Sequence, residues 1–363
     1  MEALVLDGAR AVRAGEELPV ATLQEFLQAR LPGLGPLIVE QFPSGYSNLT
    51  YLLRAGDQEL VLRRPPCGAE AKGGHDMGRE FRVLLALHAL WPKAPRPLVE
   101  CNDPAVIGAP FYVMERVRGA ILRGGPGRPG PQLPPDAARG ACLALIDGLC
   151  ELHALDCTLP ELAELGRPAG YAARQVQGWS ERYERARSDE LPELERVAAW
   201  LRERVPEGGQ AALIHNDYKF DNVVFDLHEP GRILAVLDWE MATLGDPLLD
   251  LGTTLAYWAD RDDPADWQRF SLIPLTLQPG SLDRLQVVER YAERSGRRPS
   301  PHEVVFAYAY GLFKVAVIAQ QIYARFKRGH TQDPRFPGLG LVVRACGQMG
   351  LRAIELGRID RLG

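Results

Sequence analysis

The segment IHNDYKFDNVVFD, residues 214–226, sets His215, Asp217, Lys219 and Asn222 in a short polar stretch between apolar runs, and Asp238 closes the next apolar run, RILAVLDWE. If those runs pair as a hairpin, two carboxylates and an amide oxygen converge. Three oxygen donors suit a hard cation such as Mg2+, which takes few protein ligands and completes its shell with water and phosphate oxygens. They suit zinc poorly, because no cysteine or second histidine lies nearby. Singly, each of these residue types in a loop is a turn former or a solvated charge; the combination is what points to function.

Such a loop needs strands to hold it. ALIH, NVVFD and RILAVLDWE are short, partly β-branched and bounded by turns, so they are expected as strands inserted among helices. Helical patterning dominates from residue 136 onward, over 136–155, 171–187, 191–205, 246–258, 281–295, 301–327 and 337–357. The first third reads instead as strands around one helix. LIVEQF, LTYLLRA and QELVLRR are separated by PSGYSN and GD, a helix follows over 76–90, and PLVEC and APFYVMERV complete a sheet of about five strands. The Gly/Pro-rich stretch 121–136 permits neither helix nor strand and opens a second unit.

At 363 residues the chain has room for one large domain or two lobes, and 46% apolar and 25% charged residues with net charge −5 fit an ordinary globular protein. Basic residues are interleaved with acidic ones, so no nucleic-acid partner is expected. The N-terminus shows neither a signal nor a transit pattern, and the apolar run near 304–322 is broken by Tyr308, Lys314 and Gln320. A cytoplasmic protein without a membrane partner is therefore expected. Cys67, Cys101, Cys142, Cys150, Cys157 and Cys346 form no CxxC pair and are read as reduced thiols.

The spacing His-x-Asp-x-x-x-x-Asn followed by a strand ending in Asp resembles that of protein-kinase-like phosphotransferases. HNDYKFDN matches it, and LDWE stands at the metal-binding Asp segment. With LGDPLLDLG directly afterwards, the chain is similar to the aminoglycoside phosphotransferase family of small-molecule kinases. PSGYSNLTYLLR, LVLRRPP, GREFRVLLAL, FYVMERVRG and RQVQGWSERY resemble the branch whose kinase-like domains are associated with acyl-CoA dehydrogenases.

This resemblance implies an α+β, bilobal protein-kinase-like fold: a small antiparallel-sheet nucleotide-binding lobe over 1–117, and a large, mainly helical catalytic and substrate-binding lobe over 118–363. It implies ATP and Mg2+ as cofactors. Asp217 would accept the acceptor hydroxyl's hydrogen bond and take its proton, and Lys219 would offset charge on the moving phosphoryl group. Asn222 and Asp238 would hold the metal, while His215 would brace the loop. Ser44, Gly45, Tyr46, Ser47 and Asn48 would approach the phosphates, a stretch that without the full GxGxxG pattern also reads as a plain hairpin turn. The family's phosphate-contacting lysine is replaced, since LVLRR offers Arg63 and Arg64. Strand alternation leaves open which one enters the cleft, and Arg63 is favoured, oriented by Glu80. Glu115 and Val117 would bound the hinge that meets adenine.

Trp239 and Glu240 stand where protein kinases have Phe and Gly, and no long activation segment separates LDWEMAT from GDPLLDLG, so a peptide acceptor is not expected. Asp246 would cap the helix that begins at Pro247, and Asp250 would brace the catalytic loop. Arg174, Trp179, Arg182 and Tyr183 share neighbouring helix faces, either as an acceptor wall or as ordinary amphipathic packing. The expected function is an ATP-dependent phosphotransferase acting on a small-molecule hydroxyl, by resemblance that of a hydroxyacyl-CoA, with a functional link to an acyl-CoA dehydrogenase. Two alternatives stay open: an aminoglycoside or other small-alcohol kinase, and a nucleotide-binding pseudokinase or scaffold.

Overall fold

The computed structural model describes residues 4–43, 48–66, 75–125, 130–269, 271, 273–329 and 336–363. The N-terminal part begins with helix α1 (Val20–Gln28) and strands β1 (Leu37–Gln41), β2 (Leu49–Ala55) and β3 (Gln58–Arg64). Helix α2 (Met77–His88), β4 (Pro97–Cys101), the one-turn α3 (Pro104–Ile107) and β5 (Phe111–Glu115) complete it. The five strands form one antiparallel sheet in the order β1-β2-β3-β5-β4. Gly56 at φ 62° and Asp57 close the tight β2–β3 hairpin, where Ala55 faces Gln58.

Alternation along these strands separates two apolar layers. Tyr51, Leu53, Leu60 and Leu62 face α1 and α3, with Leu23 and Leu27 buried against them. Leu52 and Val61 face the other way, toward Val83, Leu84 and Leu87 of α2. That geometry resolves the paired arginines. Arg63 shares the face of Val61 and points to α2, whereas Arg64 points to the opposite layer and donates to Ile107 O at 3.1 Å. The expectation of a single helix here needs correction: α1 and α3 are additional, and both cover the sheet's outer face.

The second part contains α4 (Pro135–His153), the short α5 (Pro160–Ala163), α6 (Tyr171–Ala186), α7 (Pro192–Glu203), β6 (Ala212–Ile214), β7 (Val223–Phe225), β8 (Ile233–Val236) and β9 (Thr243–Gly245). Helices α8 (Pro247–Ala256), α9 (Ala265–Arg269), α10 (Arg284–Ser295), α11 (Pro301–Lys327) and α12 (Leu339–Leu356) follow. The strands make two small antiparallel pairs, β7–β8 and β6–β9. The first is the hairpin that Asp217, Asn222 and Asp238 require. The second, through a β9 that the apolar pattern did not reveal, fixes where the chain leaves the site.

Helix α11 is long and apolar enough to cross a membrane by length and composition, yet most of it is buried inside the protein. It packs against α6, α7, α8 and α12. Ser300 and Glu303 form a capping box at its start. It approaches α8 closely because Gly252 and Gly311 bring the two backbones together: a Cβ on Gly252 would lie 2.0 Å from Ala307 O, and one on Gly311 2.1 Å from Gly252 O. This approach sets two helices directly beneath the loop that follows β6.

Candidate active site

Strand β6 delivers the chain to the loop at His215, which is fully buried. Its Nε2 donates to Leu237 O at 2.9 Å, and its Nδ1 accepts from Asp217 N at 3.2 Å, which assigns the tautomer. Burial pushes this imidazole below its ordinary value, so it serves as a neutral brace. Asn216 adopts φ 67°, a region that non-glycine residues seldom occupy. Four elements hold it there. Its N–H meets Asp250 Oδ1 at 2.7 Å, its Nδ2 donates to Met241 O at 3.0 Å, its Oδ1 accepts from Tyr171 Oη at 3.0 Å, and its carbonyl accepts from Lys314 Nζ. Together these offset a backbone strain of about 1–3 kcal/mol.

Asp217 follows with its carboxylate partly exposed. Lys219 Nζ reaches Oδ1 at 2.8 Å and Oδ2 at 2.6 Å, and Asn222 Nδ2 donates to Oδ2 at 3.0 Å. Burial works to lower the Lys219 ammonium, but adjacent Asp217 outweighs it and holds the group above its ordinary value. Helix α8 and its C-cap read the loop through one face. Asp250 takes the N–H groups of His215 and Asn216, Thr254 donates to Tyr218 O at 2.9 Å, and Tyr257 donates to Asp217 Oδ1 at 2.9 Å. Their i, i+4, i+7 spacing is that of a single helical stripe. Asp246 caps the same helix by accepting from Leu248 N, a contact worth about 1 kcal/mol.

The opposite wall is built around Arg63, which is buried. Its Nη2 donates to Asp238 Oδ1 at 2.7 Å, and its Nη1 lies 3.3 Å from Glu80 Oε1, an oxygen that also accepts from Trp239 N. Burial pushes Glu80 up to about 7, with Arg63 opposing. Burial acts on Asp238 in the same direction, but the Arg63 charge and hydrogen bond outweigh it and keep the carboxyl below its usual range. Asp238 itself sits at φ 69°. The neighbouring Glu240 ties the two parts of the protein together, accepting from Asn48 Nδ2 at 2.7 Å while its carbonyl accepts from Arg79 Nη1 at 2.9 Å.

Asn222 uses Nδ2 on Asp217 and Asp238 uses Oδ1 on Arg63, so among the described residues Asn222 Oδ1 and Asp238 Oδ2 accept no protein hydrogen bond. No group of three or more His, Cys, Asp or Glu side chains converges as a metal cage among those residues. An amide oxygen and one carboxylate oxygen fit a hard cation that keeps water and phosphate ligands, and they fit zinc poorly.

Other sequence-selected residues fall less neatly. Ser44, Gly45, Tyr46 and Ser47 lie outside the described residues; Asn48 is buried just before β2. Glu115 commits its N–H to Arg96 O at 2.9 Å, whereas Val117 makes no hydrogen bond among the described residues. The acceptor wall on α6 requires correction. Trp179 and Tyr183 are core side chains, Tyr183 packing on Phe313, and Arg174 folds back on the carbonyls of Arg167 and Ala169. The amphipathic stripe thus turned its aromatic residues inward. Arg182 is exposed, as Arg174 is, and lies 4.6 Å over the Trp179 ring.

Sequence reasoning missed Tyr257, Lys314 and Arg79. Asp-x-x-x-Thr-x-x-Tyr on one helix face was a readable signal for Tyr257. Lys314, inside an apolar helix, was visible only as an interruption. Burial pushes its ammonium down to about 8, with Asp217 and Asp250 opposing.

A model of the family described as "Phosphotransferase enzyme family" matches residues 38–272. Acyl-CoA dehydrogenase family member 11 of Gallus gallus is 33% identical over 352 residues, which are 95% of this chain and 44% of that protein. Acyl-CoA dehydrogenase family member 10 of Mus musculus is 33% identical over 94% of this chain and 31% of its own length. The chain thus spans less than half the length of these curated relatives. Among solved structures, a putative aminoglycoside phosphotransferase from Ralstonia eutropha is similar with TM-score 0.77 and 28% identity, covering 94% of this chain and 99% of that one. Aminoglycoside phosphotransferase APH(4)-Ia, in ternary complex with AMP-PNP and hygromycin B, shares the fold at TM-score 0.56 and 17% identity, covering 92% of this chain and 98% of its own.

Proposed function

This chain belongs to the phosphotransferase enzyme family, and from that premise we propose that it transfers the γ-phosphoryl group of ATP to a hydroxyl on a small molecule. One observation carries the reading: the β7–β8 hairpin brings Asn222, bonded to Asp217, and Asp238 together, with an amide oxygen and a carboxylate oxygen that no donor among the described residues occupies. In this reading Asp217 aligns the acceptor hydroxyl and takes its proton. Lys219, already on Asp217, would offset negative charge on a phosphoryl group brought to that carboxylate. Asn222 and Asp238 are the residues that would hold Mg2+, which would supply neutralisation of phosphate charge. Arg63 presents its guanidinium to the phosphates from β3, and Val117 offers the backbone donor for adenine at a hinge dividing lobes 1–117 and 118–363.

A hydroxyacyl-CoA thioester is the leading acceptor. The names of the curated relatives support it, as does the exposed Arg182, which suits an anionic partner. The same names support a functional link with an acyl-CoA dehydrogenase. The test is an acceptor screen with ATP and Mg2+ over hydroxyacyl-CoA thioesters, free hydroxy acids and aminoglycosides, read by mass spectrometry for an added phosphoryl group. A phosphorylated thioester is the expected product. Phosphorylation of aminoglycosides with no thioester product would overturn the acceptor assignment, and nucleotide binding with no product in any class would favour a scaffold.

A further inference from the structure

An ionised carboxylate offers about four acceptor directions, two on each oxygen. At Asp217 protein donors fill all four: Lys219 and Tyr257 on Oδ1, and Lys219 and Asn222 on Oδ2. The two oxygens are therefore not equivalent. Oδ2 faces Asn222 and the metal side, while Oδ1 receives the phenol of Tyr257. That phenol is an O–H donor 2.9 Å from the oxygen, in the relation an acceptor hydroxyl must itself adopt before transfer.

We propose that Tyr257 stands in for the acceptor: its phenol occupies the acceptor hydroxyl's place on Asp217 Oδ1, excludes water from it, and yields when an acceptor binds. This rests on the phosphotransferase reading given above. Of the donors on Asp217, Tyr257 is the one that can leave at least cost to the site. Asn222 is tied to the Asp217 main-chain carbonyl as well as to its carboxylate. Lys219 carries the charge that balances Asp217. The phenol contributes one neutral hydrogen bond, and its residue is the C-cap of α8, past the last helical turn, with the Lys219 ammonium 4.5 Å from the ring. Burial holds the phenol above its ordinary pKa, with Asp217 adding to the effect, so it stays a protonated donor across the physiological range.

The device matters because water competes with the acceptor. In the wasteful reaction a water oxygen bonds to the γ-phosphorus as the bond to the β–γ bridging oxygen breaks, ADP leaves, and the water proton passes to Asp217. With the phenol on Oδ1, water has no vacant acceptor direction from which to be aligned. Tyr257 is thus a positioning residue that couples Asp217 to the presence of acceptor.

Tyr257→Phe removes one oxygen and keeps the ring. Its acceptor-free ATP hydrolysis should exceed wild type by about tenfold, the equivalent of one hydrogen bond, and the rise should vanish in Asp217→Asn/Tyr257→Phe. A Tyr257→Phe rate equal to or below wild type would overturn the proposal. A second readout needs no nucleotide. In protein carrying 13Cζ-labelled tyrosine, the resonance missing from Tyr257→Phe identifies Tyr257, and it should move in Asp217→Asn; an unmoved resonance would show that the phenol does not bond Asp217 and would also overturn it. If Asp217→Asn hydrolyses ATP as fast as wild type, the phosphotransferase reading itself fails. If Asp217→Asn is slow but Tyr257→Phe is not fast, only the stand-in role fails.

Discussion

Arg63 and Arg284 are both buried guanidiniums among carboxylates, Arg63 beside Glu80, Asp238 and Glu240, Arg284 beside Asp260 and Asp263. Around Arg284 the donors are committed: Nε to Ile359 O at 2.7 Å, Nη1 to Trp258 O at 2.9 Å and Asp263 Oδ2 at 2.8 Å, and Nη2 to Asp263 Oδ1. Asp260 adds an ion pair at 3.3 Å and accepts from Arg284 N. This cluster staples the start of α10 to the chain after α8 and to the C-terminal segment. Around Arg63 the commitments are incomplete. Among the described residues its Nε is buried without a hydrogen-bond partner and Asp238 Oδ2 accepts no hydrogen bond, and the two non-glycine residues with left-handed backbone at the site are Asn216 and Asp238. Buried charge alone therefore does not mark a site. Unfilled hydrogen-bonding capacity held in place by strained backbone does.

The comparison breaks most sharply at Asp217. Asp217→Asn should cut phosphoryl transfer by about 10²–10⁴-fold, the range of general-base catalysis, and leave the urea midpoint nearly unchanged. A comparable loss of stability would place Asp217 with the structural cluster instead. The converse variant is Arg284→Leu, which leaves Asp260 and Asp263 buried without their cation. It should cost about 3–5 kcal/mol in equilibrium urea unfolding, with nucleotide affinity of the folded fraction intact.

Arg63→Ala tests the middle ground. Asp238 retains some solvent exposure, so the stability cost should be smaller than for Arg284→Leu. Nucleotide affinity should fall about ten- to a hundredfold, as for loss of charged hydrogen bonds. Arg63→Lys should recover part of it, and isothermal titration with ADP and Mg2+ separates the two. Affinity unchanged in Arg63→Ala would assign this guanidinium, like Arg284, to architecture alone.

The cleft's side of this comparison was largely legible in the sequence, because HNDYKFDN and LDWE carry their chemistry at fixed spacing and the flanking strands alternate. Arg63 was favoured over Arg64, but only the placement of α1, α3 and α2 on opposite faces of the sheet decides between them. The α6 residues illustrate the reverse problem. Arg174, Trp179, Arg182 and Tyr183 share faces in any helix, and spacing cannot say whether that face meets solvent or α11; here α11 took the aromatics. Tyr257 and Lys314 act on the loop from helices far along the chain, through contacts created by the Gly252–Gly311 approach, which no local pattern encodes. The Arg284 cluster was illegible for a similar reason, joining residues from three separate segments.

Asp260 sharpens the comparison by pH. The Arg284 fork is directed at Asp263, so Asp260 receives only the Nε edge and a backbone N–H, and burial dominates: its carboxyl is pushed up to about 7. An unfolded aspartate titrates near 4. Between those values the folded protein holds a proton that the unfolded chain does not, so stability falls as pH rises. This contribution is fully present below about pH 4, declines through the interval, and is gone above about 7. Wild type should therefore be less stable at pH 8 than at pH 5 by on the order of 2 kcal/mol from this group. Asp260→Asn, which cannot ionise, should flatten the profile across that window while leaving ADP affinity untouched. The measurement is urea unfolding at closely spaced pH values for both proteins. An unflattened profile would move the titration to the cleft, where Glu80 lies in the same range, and Glu80→Gln would then remove it; the two variants thus decide which of the buried clusters senses pH.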